Sequence, residues 1–214
     1  LKKAFLIVFV VLLIDQTLKF WIKTHLALGE EINVFGNWFI IHFTENPGMA
    51  FGMQFAGNYG KLMLSIFRLI AIGGIGYYLY VITRREVNFW LVFSLSLVLA
   101  GAAGNMIDSA VYGLFFNEST FFEVARFMPQ GGGYGTFLHG KVVDMLYFPI
   151  LQGFYPQWVP FVGGEEFIFF RPVFNIADSS ISIGVLMMII FQKQFFHPAK
   201  SPDMAETDEA TQQQ

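Results

Sequence analysis

Four stretches of this 214-residue chain, 4–23, 61–83, 88–112 and 177–196, are apolar over about the 20 residues that a helix needs to cross hydrocarbon. No water reaches the backbone there, so each must satisfy its own N–H and C=O groups as a helix. The chain is 55% apolar, 18% aromatic and 14% charged, one domain's worth of material and too greasy for an ordinary soluble fold. These features predict a mainly α membrane protein with four transmembrane helices, a single domain over 1–196.

Charge gives the orientation. Lys2-Lys3, Arg84-Arg85 and Lys193 with Lys200 fall on one side, so the positive-inside rule predicts that both termini are cytoplasmic. Lys19, Lys23 and Lys61 on the other side dilute this signal. The first apolar run passes Asp15 into Phe20-Trp21-Ile22 without a small-residue cleavage site, which reads as a retained span and not a secretory leader. The first residue is Leu, so the numbered chain is expected to lack its original start. Residues 197–214 hold Asp203, Glu206, Asp208 and Glu209 against Lys200, and read as a disordered cytoplasmic tail. They account for the whole net charge of −3, and a neutral body argues against nucleic-acid binding. Without cysteine there is no disulfide or thiol chemistry.

Two long segments then lie outside. In 24–60, Asn37–Thr44 is β-rich and leads to a Pro-Gly turn, so a small extracytoplasmic sheet is expected. The segment 113–176 is a Gly- and aromatic-rich insertion suited to the headgroup region. Phe115–Met128 is expected as a short amphipathic helix on the membrane.

Five polar motifs interrupt this apolar chain: Asp15-Gln16-x-x-Lys19, Asn46-Pro47-Gly48-Met49-Ala50-Phe51, Gly104-Asn105-x-x-Asp108, Val142-Val143-Asp144 and Phe174-Asn175-x-Ala177-Asp178. At 1.5 Å per residue, Asp108 lies about 30 Å along the third helix from its inner end, and Asp15 about 16 Å along the first. Asp178 starts the fourth helix from outside, Asn46 lies in the outer sheet just before the second helix, and Asp144 is expected in the outer loop. All five motifs therefore map to the outer leaflet. Carboxylates in or beside hydrocarbon cost a few kcal/mol each, which argues that they are used. Two adjacent carboxylates cannot both ionise cheaply, so one keeps its proton near neutral pH. The ionised member can activate water while the protonated member bonds the carbonyl under attack, which is aspartic peptidase chemistry.

Structural readings compete at several positions. Asp15 and Lys19 are spaced as an intrahelical ion pair, Asn175 as a helix cap, and Asp178 as an acid favoured by the helix dipole. Asn105 can serve as interhelical glue, and Gly101 and Gly104 can allow close packing. Asp144 has no such explanation, since Val142-Val143 offers it no partner.

At these residues the chain resembles the lipoprotein signal peptidases (signal peptidase II), over most of 4–196. The resemblance implies an intramembrane aspartic endopeptidase that cleaves diacylglyceryl-modified prolipoproteins just before the lipid-bearing cysteine, without metal or organic cofactor. It implies Asp144 and Asp178 as the catalytic pair, with Asp108, the aspartate of Gly-Asn-x-x-Asp, as the other candidate for that role. Asp15, Lys19, Asn46, Gly48, Asn105, Asp108, Asn175 and Ala177 then form the supporting and substrate-positioning shell, and globomycin-type cyclic peptides are expected inhibitors. The family usually has arginine after Gly-Asn-x-x-Asp, where this chain has Ser109. It usually reads Asn-Thr-Gly-Ala-Ala where this chain has Asn46-Pro47-Gly48-Met49-Ala50. The intervals Asp108–Asp144 and Asp144–Asp178 are longer than usual. Arg68, about 10 Å along the second helix from its outer end, is a candidate for the cation that Ser109 lacks.

Other chemistries fit less well. A serine intramembrane peptidase needs a Gly-x-Ser-x-Gly-like nucleophile, and a zinc peptidase His-Glu-x-x-His; neither is present. A proton-coupled transporter would spread its acids through the membrane depth or repeat its broken helices. A non-catalytic scaffold leaves the clustered acids unexplained.

Overall fold

The computed structural model describes residues 1–47, 57–85, 87–169 and 171–196. Gly48 and the 197–214 tail lie outside the described residues. Helix α1 covers Lys2–His25 and α2 Gly57–Ile82. Asn88 caps the next helix, α3 (Phe89–Ile107), by accepting from the Trp90 N–H at 2.8 Å. Among the described residues, three helical stretches are long and apolar enough to cross a membrane: Lys2–His25, Leu62–Ile82 and Phe89–Phe115. The stretch expected as a fourth span folds as α5 (Ile176–Ile190), shorter at 15 residues, followed by α6 (Gln192–Phe196).

Ala4 of α1 packs with Leu79 and Ile82 of α2 and with Leu91, Val92 and Leu95 of α3. The N-terminus and the α2–α3 turn, with its Arg84-Arg85, therefore share one end of the bundle. At the opposite end a second cluster joins Ile22 and Leu26 to Phe43, Tyr112, Phe116, Val143 and Met145. Away from these cores the helices present bare apolar side chains such as Phe5, Phe9, Phe67 and Ile70. A water-facing helix carries polar groups there, a lipid-facing one does not.

The last turns of α3 widen. A π-helical segment spans Asp108–Tyr112 and a single turn, α4 (Gly113–Phe115), closes it. Such widening leaves carbonyls without their usual partners. The returning chain fills the vacancies: Gly140 N–H donates to Ser109 O at 2.8 Å and Gly135 N–H to Gly113 O at 2.9 Å. Gly140 is needed for this approach, since a Cβ there would lie 2.1 Å from the Asp108 carbonyl oxygen.

The sheet is larger than the sequence suggested. Strands β1 (Glu31–Phe35) and β2 (Phe39–Asn46) come from the first of the two long segments between the apolar stretches. Strands β3 (Val142–Tyr147) and β6 (Val173–Phe174) come from the second, and the order is β1-β2-β3-β6, all antiparallel. Asp144 thus lies on an interior strand, opposite Thr44, and not in a loop. Between β3 and β6, strands β4 (Leu151–Phe154) and β5 (Glu166–Phe169) make a separate hairpin.

The amphipathic helix expected over Phe115–Met128 does not form. Phe116 and Phe127 bridge as antiparallel extended residues, and Asn117 N–H donates to Arg126 O at 3.3 Å. Phe116 is drawn into the core against Tyr112, which a lipid-surface helix would forbid. Tertiary burial here overrides a weak helical period.

Candidate active site

The C-terminal half of α1 supplies a ladder on one helical face, Asp15, Lys19 and Lys23, spaced four residues apart. All three are buried. Lys19 Nζ lies 3.0 Å from Asp15 Oδ2 and 2.8 Å from Asp108 Oδ2, and donates to Asn105 Oδ1 at 2.9 Å. Its three N–H donors are thereby matched to three acceptors.

The two acids are held from other directions as well. Asp15 Oδ1 accepts the Ala177 N–H at 2.9 Å, which ties α1 to the N-terminus of α5. Asp108 Oδ1 accepts from the Gln16 amide at 2.8 Å, and Asp108 Oδ2 from Val143 N–H at 3.2 Å. Gly104 allows the close approach: a Cβ there would sit 2.7 Å from Asp15 Oδ2 and 3.2 Å from the Ala177 Cβ. At Gly101 it would lie 2.2 Å from the Ala177 carbonyl oxygen.

Two asparagines carry this network to Asp144 and Asp178. Asn105 donates its amide to Asp178 Oδ1 at 2.7 Å. Asn175 donates to Asn105 Oδ1 at 3.1 Å, to Val143 O at 3.2 Å and to Asp144 Oδ1 at 2.7 Å. Asn175 is also the cap of α5, accepting from Asp178 N–H at 2.9 Å, while Asp178 Oδ2 accepts from Asn175 N–H at 3.4 Å. The capping and functional readings of Asn175 thus coincide in one residue. Asp144, expected to lack a structural partner, has one in Asn175.

Burial decides which acids meet the surroundings. Asp108 and Asp15 are 0% and 1% exposed, Asp144 is 6% exposed, and Asp178 is partly exposed. Burial and then the neighbouring Asp178 carboxylate push the Asp144 carboxyl up from the usual carboxylate range to about 7. Arg68 on α2 is half-buried, and its charge acts on Asp178, Asp108 and Asp144, in that order. Ser109 is buried with its hydroxyl donating to Asn105 O at 3.0 Å. A side chain as long as arginine has no open direction there, so grafting one at 109 is not a clean replacement for Arg68. Asn46 ends β2 opposite Val142.

Some participants were not singled out by sequence. Gln16 and Tyr112 join the cluster, Tyr112 donating to Gln16 Oε1 at 3.3 Å. The Asp15-Gln16-x-x-Lys19 motif contained the first; nothing local signalled the second. Lys23, counted in the sequence only as a charge that dilutes the orientation signal, is buried, paired with Glu45, and donates to Ser119 at 2.8 Å. Its four-residue spacing from Lys19 was the available clue.

Known proteins are similar to this chain in sequence and fold. The family model described as "Signal peptidase (SPase) II" matches residues 7–194. A lipoprotein signal peptidase of Porphyromonas gingivalis is 48% identical over 185 residues, covering 86% of this chain and 80% of that protein. One of Amoebophilus asiaticus is 38% identical, covering 88% and 76%. A bacterial membrane enzyme solved by the in meso method at 1.9 Å superposes with a TM-score of 0.56 at 27% identity, covering 89% of this chain and 92% of that one. A second, at 2.3 Å, has the same fold at a TM-score of 0.59, with 24% identity and 94% of each chain covered. The chain belongs to the signal peptidase II family of aspartic proteases, the lipoprotein signal peptidases.

Proposed function

We propose that this chain cleaves diacylglyceryl-modified prolipoproteins within the membrane, just before the lipidated cysteine, with Asp144 and Asp178 as its catalytic pair. One observation carries the assignment. The two aspartates joined through Asn175 are the less sealed ones, whereas Asp15 and Asp108 are closed off by Lys19, Gln16 and backbone donors. In this reading the first pair, being less buried, shares a water and the substrate carbonyl.

Asp178, at the start of a helix and accepting from two nitrogens, serves as the ionised base. Asp144 serves as the protonated partner. Asp178 takes a proton from water as its oxygen bonds to the scissile carbonyl carbon, and Asp144 gives its proton to the carbonyl oxygen. Collapse of the tetrahedral intermediate breaks the C–N bond: the proton on Asp178 passes to the leaving amine, and a hydroxyl proton of the intermediate returns to Asp144 as the carboxylic acid product forms. The chemistry needs water and two carboxyls. Asp15, Lys19, Asn105, Asp108, Asn175 and Ala177 hold the geometry, while Asn46 and Gly48 position the peptide.

In this reading α5 and α6 complete a fourth crossing. The end carrying Lys2, Lys3, Arg84, Arg85 and Lys193 faces the cytoplasm, as do both termini, and the aspartates lie at the outer leaflet of the bacterial inner membrane. Acyl chains of the substrate hold the scissile bond at that depth, and globomycin-type cyclic peptides compete for the site.

The test is cleavage in detergent of two peptides that differ only in diacylglyceryl modification of the cysteine, read by mass spectrometry. The modified peptide is expected to yield a fragment beginning with the lipidated cysteine, and the unmodified one to stay intact. Folded enzyme that cleaves neither, or both equally, would overturn the proposal. Arg68 supplies the cation beside the dyad. Arg68→Ala is expected to lower kcat/KM by about 10-fold or more, the loss of about 1.4 kcal/mol of transition-state stabilisation, and Arg68→Lys to keep part of it. Wild-type kinetics in Arg68→Ala would remove Arg68 from the site.

A further inference from the structure

The hairpin β4–β5 has no part in the aspartate network, and its composition is unusual for an extramembrane loop. From Met145 to Gly164 the chain carries no Asp, Glu, Lys, Arg or His. Leu151 pairs with Phe169 and Gly153 with Phe167, and the Phe167 ring lies across Gly153, where a Cβ would be 2.8 Å from it. Tyr155 packs on Phe167 at 5.1 Å between ring centroids. Beyond that self-packing the apolar side chains are bare. Trp158 is 81% exposed and Phe161 is 102% exposed at the tip. Phe161 also has a left-handed backbone, with φ of 69°, which a bulky residue adopts only at a cost.

An isolated two-stranded hairpin is marginal in water, and a charge-free aromatic tip makes it worse. A partner must cover it. The hairpin is bounded by chain that is already in or beside the bilayer: β3 at one end, and at the other β6, which feeds α5 with its bare Ile183, Leu186 and Ile190. Its charges, Glu165, Glu166 and Arg171, cluster on the returning side. Tryptophan and tyrosine at the end of an apolar surface are characteristic of the headgroup boundary.

We propose that the β4–β5 hairpin seats its tip, Trp158 and Phe161, in the lipid interface of the leaflet that holds the N-terminus of α5. The hairpin continues the lipid-facing surface of the helices and gives the aspartate end of the molecule a second, non-helical hold on the bilayer. This depends on the chain lying in a membrane and not on its cleaving any peptide.

The chain has no cysteine, so one introduced cysteine carries one spin label. Phe161→Cys and Trp158→Cys, each labelled and placed one protein per phosphatidylcholine nanodisc, would be compared with Glu165→Cys. Accessibility to oxygen, which concentrates in lipid, would be read against a water-soluble nickel chelate. The expected result is oxygen accessibility severalfold above that to nickel at 158 and 161 without substrate, and the reverse at 165. Nickel accessibility at both tip positions would overturn the proposal. So would protection that appears only when a lipopeptide is added, which would make the hairpin a substrate clamp, or only with two copies per disc, which would make it a dimer contact. Either tip position alone suffices if the other variant fails to fold, and cleavage activity enters none of these outcomes.

Discussion

Asp144→Asn and Asp178→Asn are each expected to abolish turnover of the lipidated peptide, by about 10³-fold or more, while the protein remains folded. Each asparagine can still accept the bonds that hold its parent, from Asn175 to residue 144 and from Asn105 to residue 178. What is lost is the carboxyl proton chemistry. The control is Asp108→Asn, where the acid is sealed beneath Lys19 and Gln16, and a residual rate well above that of the dyad variants is expected. A dead Asp108→Asn beside an active Asp144→Asn would move the catalytic role to Asp108.

The pH profile adds a second readout. In the proposed mechanism the Asp144 carboxyl, raised to about 7 by burial and by Asp178, must be protonated to donate to the substrate carbonyl. Rate is therefore expected to fall on the alkaline side of about pH 7. The stability sign is the same. A carboxyl whose folded pKa is raised favours folding while it is protonated in both states. It costs stability progressively as pH climbs from the unfolded range near 4 to about 7. Asp144→Asn removes that penalty, so its thermal midpoint is expected to exceed wild type at pH 8 and to match it near pH 4. An unchanged difference across that range would contradict the assignment of Asp144 as the protonated partner.

Lys19→Met is expected to be the most destabilising single change at the site. It leaves Asp15 and Asp108 buried without their cation. Breaking a buried pair from one side costs about 3–5 kcal/mol, because the remaining charge is stranded. Asp108→Asn should cost less, since Lys19 keeps Asp15 as its counterion. Combining Lys19→Met with Asp15→Asn and Asp108→Asn should recover part of the loss. These four proteins can be ranked by thermal unfolding in one detergent. A Lys19→Met midpoint equal to wild type would mean that the triad contributes nothing to the fold.

Much of the site was legible because its motifs are local. Asp15 and Lys19 share a helix face by the helical period alone, and Asn175 caps Asp178 within one turn. Gly101 and Gly104 announced a close helix contact, and α5 fills it. The failures have the opposite character. Phe115–Met128 carries enough apolar residues for a helix, but Phe116 found a better burial against Tyr112. Lys23 had no partner legible in the sequence, because Glu45 lies 22 residues on and only the fold brings it there. Asp144 seemed to sit in a loop because its partner strand lies a hundred residues earlier, and the register of Thr44 with Asp144 is written in neither segment.

The sequence by itself determined the membrane-grade helices, the single end at which the acids gather, and the local pairs spaced by one helical turn, because each follows from hydropathy or from the geometry of contiguous chain. Tertiary structure alone decided which acids are sealed and which stay open. The same residue type became one acid of a closed ion triad around Lys19 at Asp108 and a less buried carboxyl held by Asn175 at Asp144. That difference comes from desolvation and from neighbours brought in across α1, α3, β3 and α5, which no run of consecutive residues encodes.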